Sequence, residues 1–101
     1  MTKYNKLVRD NIPEIIKSRG GNPVTHLADD KEYRIKLKEK LQEEVTEFLA
    51  VENAEEMADI LEVIDAICAA WNFNKEDLSK IKAAKKADRG GFEKKIILEE
   101  S

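Results

Sequence analysis

Apolar residues in the middle of this chain recur with the spacing of helices. From about residue 31 to 50, Leu37, Leu41, Val45 and Phe48 follow one another at steps of four, four and three, which places them on one stripe. From about 54 to 71, Met57, Ile60, Leu61, Ile64, Ile67, Cys68 and Trp71 form a broader apolar face, wide enough to meet more than one neighbour. Asp29-Asp30 resembles a capping region for the first of these helices. Asn53, with Glu56 three residues on, has the arrangement of a capping box for the second. A polar break at Asn72 to Asn74 precedes a last helix from about 75 to 87.

The ends read differently. Residues 1 to 9 mix polar and apolar types, and Leu7-Val8 suit an extended or turn segment with local packing. Asp10 or Asn11 can cap a short helix with Pro13 in its first turn and Ile12, Ile15 and Ile16 on one side, and Gly20-Gly21 stops it. Pro23 to Leu27 and the segment 94–98, with Ile96-Ile97-Leu98, are candidate short strands that could pair, with Arg89-Gly90-Gly91-Phe92 as the turn before the second. No internal repeat or linker divides the chain, so the expectation is one domain over 1–101. Its class is mainly α, an antiparallel helical bundle with at most a small β-hairpin.

Composition narrows the function classes. A hydrophobic fraction of 42% with 39% charged residues suits a folded, heavily solvated helical chain. The net charge of −3 lacks the concentrated basic excess that tracking a nucleic-acid polymer requires, although a small anion responds only to the local field. Cys68 is the lone cysteine, which excludes an intrachain disulfide and a cysteine zinc cluster. With no apolar leader and no run of the about 18 to 20 apolar residues needed to span a bilayer, a cytoplasmic setting without membrane contact is expected.

The chemistry lies in the acids. The pattern is Glu43-Glu44-x-x-Glu47 on the first long helix and Glu56-x-x-Asp59 on the second. If the break folds these helices antiparallel, Glu44 with Asp59 and Glu47 with Glu56 stand at equal distances from the turn and face one another. Carboxylates so placed repel, and a cation relieves the repulsion. Hard divalent ions such as Mg²⁺, or Mn²⁺ in its place, take oxygen ligands, and the pattern offers no histidine or cysteine. The bland alternative is a solvated acidic face, the ordinary fate of a charge run.

The acids, with Glu62 and Asp65 following them, resemble those of the MazG-like all-helical nucleotide pyrophosphohydrolases, a superfamily that includes the phosphoribosyl-ATP pyrophosphohydrolases. The opening Lys6-Leu7-Val8-Arg9-Asp10-Asn11-Ile12-Pro13-Glu14-Ile15-Ile16 and the closing Arg89-Gly90-Gly91-Phe92 are similar to a small bacterial, archaeal or phage branch of it. The resemblance implies hydrolysis between the α and β phosphates of a nucleoside triphosphate, or of phosphoribosyl-ATP, with release of pyrophosphate. It implies metal ligation by Glu44, Glu47, Glu56 and Asp59, and for Glu43 either ligation or orientation of the attacking water.

Substrate would also need cations. Lys86, Arg89 and Lys94 are candidates near a turn that Gly90-Gly91 makes sharp, although lysines at a helix carboxyl end also simply favour its dipole. Arg9 is a candidate too, for its own site or a partner's, against the commoner fate of pairing with Asp10 or Glu14. Glu62 and Asp65 read as supporting or surface residues. His26 reads as structural or surface, Cys68 as a small buried hydrophobe, and Trp71 and Phe92 as aromatic core before nucleobase platforms. The broad apolar face predicts a homodimer or higher homo-oligomer, and by itself suits a non-catalytic helical interaction module equally well.

Overall fold

The computed structural model describes residues 4–101, so residues 1–3 of the expected domain lie outside it. Four helices follow in order: α1 over Ile12–Ser18, α2 over Asp30–Val51, α3 over Ala54–Ala70 and α4 over Lys75–Arg89. The mainly α class is therefore observed. None of the described helices is long and apolar enough to cross a membrane.

Local chemistry sets the boundaries. Asp29 accepts a hydrogen bond from the Glu32 amide at 2.8 Å and starts α2, Asn53 accepts from the Glu56 amide at 2.9 Å and starts α3, and Asn74 accepts from the Glu76 and Asp77 amides and starts α4. Between α2 and α3 the chain reverses through Glu52, whose φ of 53° is left-handed. α1 begins after Asn11, which makes no side-chain cap bond, and carries Pro13 in its first turn. It ends at the two glycines: a Cβ on Gly21 would stand 2.6 Å from the Ile16 Cγ2, so only glycine lets the chain fold back so closely.

α2 and α3 make the one extensive helix–helix contact among the described residues. Its seam runs through Leu37, Leu41, Glu44 and Phe48 on α2 and Ile60, Val63 and Ile67 on α3, with Leu37 only 1% exposed and Val63 and Cys68 buried. The seam corrects the predicted stripe at one place. Val45 is an exposed residue and Glu44 fills the seam position instead, because steps of four, three and four through 37, 41, 44 and 48 hold one face and Val45 sits about 100° past Glu44.

The broad face of α3 divides. Ile60 and Ile67 turn toward α2, while Met57, Leu61 and Ile64 remain exposed. On α2, Val45 and Leu49 are exposed as well. In an antiparallel pair these five project from the same side of the hairpin, and the acids of Glu47 and Asp59 from the other.

The rest of the chain is spread out. The radius of gyration is 18.0 Å, against about 13 Å for a compact domain of 100 residues. α4 has no buried residue, and the tail beyond it is open, with Phe92 97% exposed rather than in a core. The expected strand pair does not form: 23–27 and 94–98 are both irregular, and no strand occurs among the described residues. The apolar side chains of both segments stay exposed rather than packing on another element, and an isolated two-stranded pair is marginal in water.

Candidate metal centre

Glu44 is the anomaly from which the site can be built. It occupies a seam position that the helical rhythm would give to leucine, is only 6% exposed, and its Oε2 has no hydrogen-bond partner. Leaving a buried carboxylate oxygen unpaired is costly. Across the turn, Glu56 Oε2 is likewise buried and unpaired. Asn53 holds the backbone of Glu56 at the first turn of α3, while the Glu56 carboxylate reaches into the seam.

Glu44, Glu47, Glu56 and Asp59 each offer a carboxylate oxygen, and all four oxygens lie within 4.8 Å of one another. The two helices deliver the facing pairs expected from their equal distances to the turn. This donor set fits a hard divalent cation: it is all oxygen, it comes from two rigid elements, and it contains two buried oxygens that lack any other partner. Burial pushes the Glu44 carboxyl up, with Glu47 and Asp59 adding to the rise against the pull of Lys40.

Glu43 stands beside this set. Its Oε1 accepts from Lys6 at 3.0 Å and its Oε2 from Lys40 at 3.2 Å. Burial opposes its ionisation, but the two ammonium groups outweigh burial and hold its carboxyl below the usual range. Lys40 also reaches Glu44 Oε1 at 3.3 Å; burial works against its charge, yet Glu43 and Glu44 prevail and raise its pKa. Arg9 Nη2 donates to Asp59 Oδ1 at 2.8 Å, so its partner is a cluster acid rather than the neighbouring Asp10 or Glu14.

No protein-family model and no solved structure matches this chain. It is similar to an uncharacterized protein of Mycolicibacterium smegmatis, 47% identical over 47 residues. That stretch is 46% of this chain and 48% of the relative, so the match spans about half of each.

The other candidate residues lie apart. Lys86 pairs with Glu93 at 3.8 Å and Arg89 with Asp88 at 3.9 Å, and neither they nor Lys94 bonds a cluster acid among the described residues. Asp65 pairs with Lys75 at 3.1 Å, tying α3 to the start of α4, while Glu62 is exposed and outside the four-acid set. His26 bonds Glu32 at 3.0 Å on the surface, and Cys68 is buried as expected. Trp71 is half-buried, with Arg34 5.6 Å and Lys38 5.9 Å from its ring centre. Arg34 lies ten residues before Glu44 on α2, about 15 Å along the axis, so this aromatic patch is well removed from the acids.

Sequence reasoning assigns no role to Lys40, or to Lys6 although Lys6 opens the amino-terminal motif. Lys40 was legible, because it stands three and four residues before Glu43 and Glu44, the spacing of helical ion pairs. Lys6 was not, since only the folded chain brings it to Glu43.

Proposed function

We propose that this chain is a divalent-cation-dependent nucleotide pyrophosphohydrolase of the MazG-like kind, cleaving between the α and β phosphates of a nucleoside triphosphate or related nucleotide. The observation that carries this reading is the convergence of four carboxylates from α2 and α3 around buried, unpaired oxygens of Glu44 and Glu56. The motif resemblance supplies the reaction.

In this reading Glu44, Glu47, Glu56 and Asp59 hold Mg²⁺, with Mn²⁺ as a substitute. The bound cation supplies charge neutralisation at the phosphate oxygens and a more acidic water. Glu43, kept ionised by Lys6 and Lys40, accepts a hydrogen bond from the attacking water and orients it, and its lowered pKa makes it a better orienting group than a proton store. Lys40 holds Glu43 and Glu44 in register on one helix face.

The test is a panel of canonical and noncanonical nucleoside triphosphates and phosphoribosyl-ATP, assayed for pyrophosphate with and without Mg²⁺. Mg²⁺-dependent pyrophosphate with a monophosphate product supports the reading; orthophosphate alone, or no product, counts against it. Noncanonical nucleotides are the preferred substrates and phosphoribosyl-ATP the alternative.

The active form in this reading is a homodimer. Val45, Leu49, Met57, Leu61 and Ile64 make an exposed apolar surface on the side of the hairpin opposite the acids, and an 18.0 Å radius of gyration with three buried apolar residues among the described ones leaves this chain short of a core. A second hairpin laid on that surface completes a four-helix bundle and leaves both acidic faces open. The same surface favours the reading of a purely structural helical module, which predicts a dimer without Mg²⁺ stabilisation or hydrolysis.

A further inference from the structure

The acid cluster is ringed by three of the chain's own cations, and they are held differently. Lys40 is mostly buried and fixed on α2 between Glu43 and Glu44. Lys6 rests on Glu43, outside the four-acid set. Arg9 rests on Asp59, inside it, with its side chain 57% exposed.

Lys6 and Arg9 belong to the same irregular segment ahead of α1, three residues apart, and reach opposite helices: Lys6 to α2 and Arg9 to α3. Leu7 and Val8, between them, are half-buried. The segment therefore crosses the hairpin at the level of the acids, anchored by two apolar side chains and tied down at each end by a cation.

Charge makes one of these ties exchangeable. Glu43 and the four cluster acids face Lys6, Arg9 and Lys40, which leaves two uncompensated negative charges, the complement of one divalent cation. A polyphosphate then brings new negative charge, and a guanidinium at the rim is the group best shaped to take it. Guanidinium carries five N–H donors in a planar fork matched to phosphate oxygens, and Arg9 uses one nitrogen, on Asp59, with no other side-chain bond among the described residues.

We propose that Arg9 is a phosphate-binding residue stored on Asp59: in the ion-free chain it neutralises this acid, and it yields Asp59 to the cation and turns its fork to the substrate's phosphate. The inference rests on the reading of the cluster as a metal centre. It assigns the role to the chain's own Arg9 ahead of Lys86 and Arg89, whose partners within the chain are Glu93 and Asp88.

The full chain would be titrated by calorimetry with Mn²⁺ alone, and then, at saturating Mn²⁺, with a nonhydrolysable α,β-methylene nucleoside triphosphate. Arg9→Gln removes a competitor for Asp59, so Mn²⁺ should bind about two- to fivefold more tightly, the scale of an exposed ion pair. The analogue should bind about tenfold more weakly, the scale of a charged hydrogen bond lost. Arg9→Lys keeps the charge without the fork and should leave Mn²⁺ affinity near wild type while still weakening the analogue. Unchanged analogue affinity in both variants would overturn the proposal, as would weaker Mn²⁺ binding by a normally helical Arg9→Gln. If Arg9→Gln loses its helical circular dichroism, Arg9→Lys decides alone. Wild-type chain that binds no Mn²⁺ would remove the metal reading, and this inference with it.

Discussion

α3 and α4 start alike and end differently. Each follows a capping asparagine, Asn53 or Asn74, whose side chain accepts from the amides of the first turn, and each has acids in that turn. α3 then buries Val63 and Cys68, whereas α4 buries nothing and leaves Leu78 and Ile81 in the open. Local signals are sufficient to make a helix, but its position depends on what its apolar face meets. The hairpin of α2 and α3 meets itself and thereby brings four carboxylates together; α4 leaves its lysines and arginine on an open surface.

The largest effect expected on that contrast is from Glu44→Gln, which removes the charge at the seam and keeps the shape. On the proposed function, pyrophosphate release should fall by at least about 100-fold, since the candidate metal centre loses a ligand that would help neutralise phosphate charge. In EDTA the same variant should melt higher than wild type. The Glu44 carboxyl is raised in the fold, so the folded state binds its proton more tightly than the unfolded chain does, and its ionised form weakens the fold as pH rises. The gap between the two proteins in EDTA should accordingly close on acidification through the Glu44 titration. Added Mg²⁺ should stabilise wild type and leave Glu44→Gln unmoved. Undiminished turnover in the variant would mean that the four acids do not hold a catalytic cation.

Next in size is Leu37→Ala. With its side chain wholly enclosed between α2 and α3, truncation should cost about 2–5 kcal/mol in chemical denaturation. Leu78→Ala, on the open face of α4, should cost far less than Leu37→Ala. Equal costs would mean that α4 is packed as deeply as the hairpin in solution.

Much of the hairpin could be read in the sequence, for physical reasons that also explain what could not. The caps at Asp29 and Asn53 are local, so their residues announce them, and the antiparallel return that brings Glu44 to Asp59 and Glu47 to Glu56 follows from a short turn between amphipathic helices. Hydrophobicity alone puts Val45 in the seam, where Glu44 stands instead, because a periodic apolar pattern cannot show that a carboxylate occupies a core position. Phe92 and the 23–27 and 94–98 segments failed for a different reason. Their apolar character implies burial, but in the fold they remain exposed, because no local signal fixes which surface such a segment meets. Lys6 and Arg9 reach their acids across 37 and 50 residues, a proximity that only the tertiary fold creates.

The apolar side of the hairpin tests whether a second copy supplies the missing surface. Leu61→Asp puts a charge in the middle of the exposed face formed with Val45, Leu49, Met57 and Ile64, and should raise the dimer dissociation constant by about tenfold or more in sedimentation equilibrium. Glu62→Ala, the next residue but outside that face, should leave it unchanged. A wild-type chain that sediments as a monomer at working concentration would sink the dimer.

The smallest expected effect separates the two caps. Asn53→Ala and Asn74→Ala each remove one side-chain acceptor and should each cost on the order of 1 kcal/mol or less. Their consequences for the site should differ. Asn53 accepts from the amide of Glu56, a cluster residue, so fraying the first turn of α3 moves a candidate ligand; Mn²⁺ affinity should fall by several-fold together with stability. Asn74 accepts from Glu76 and Asp77, neither of which is in the cluster, so the same loss at α4 should leave Mn²⁺ affinity as it was. If both variants weakened Mn²⁺ binding alike, the α4 end would be coupled to the acids, and the division between a hairpin that holds the cation and a helix that does not would have to be abandoned.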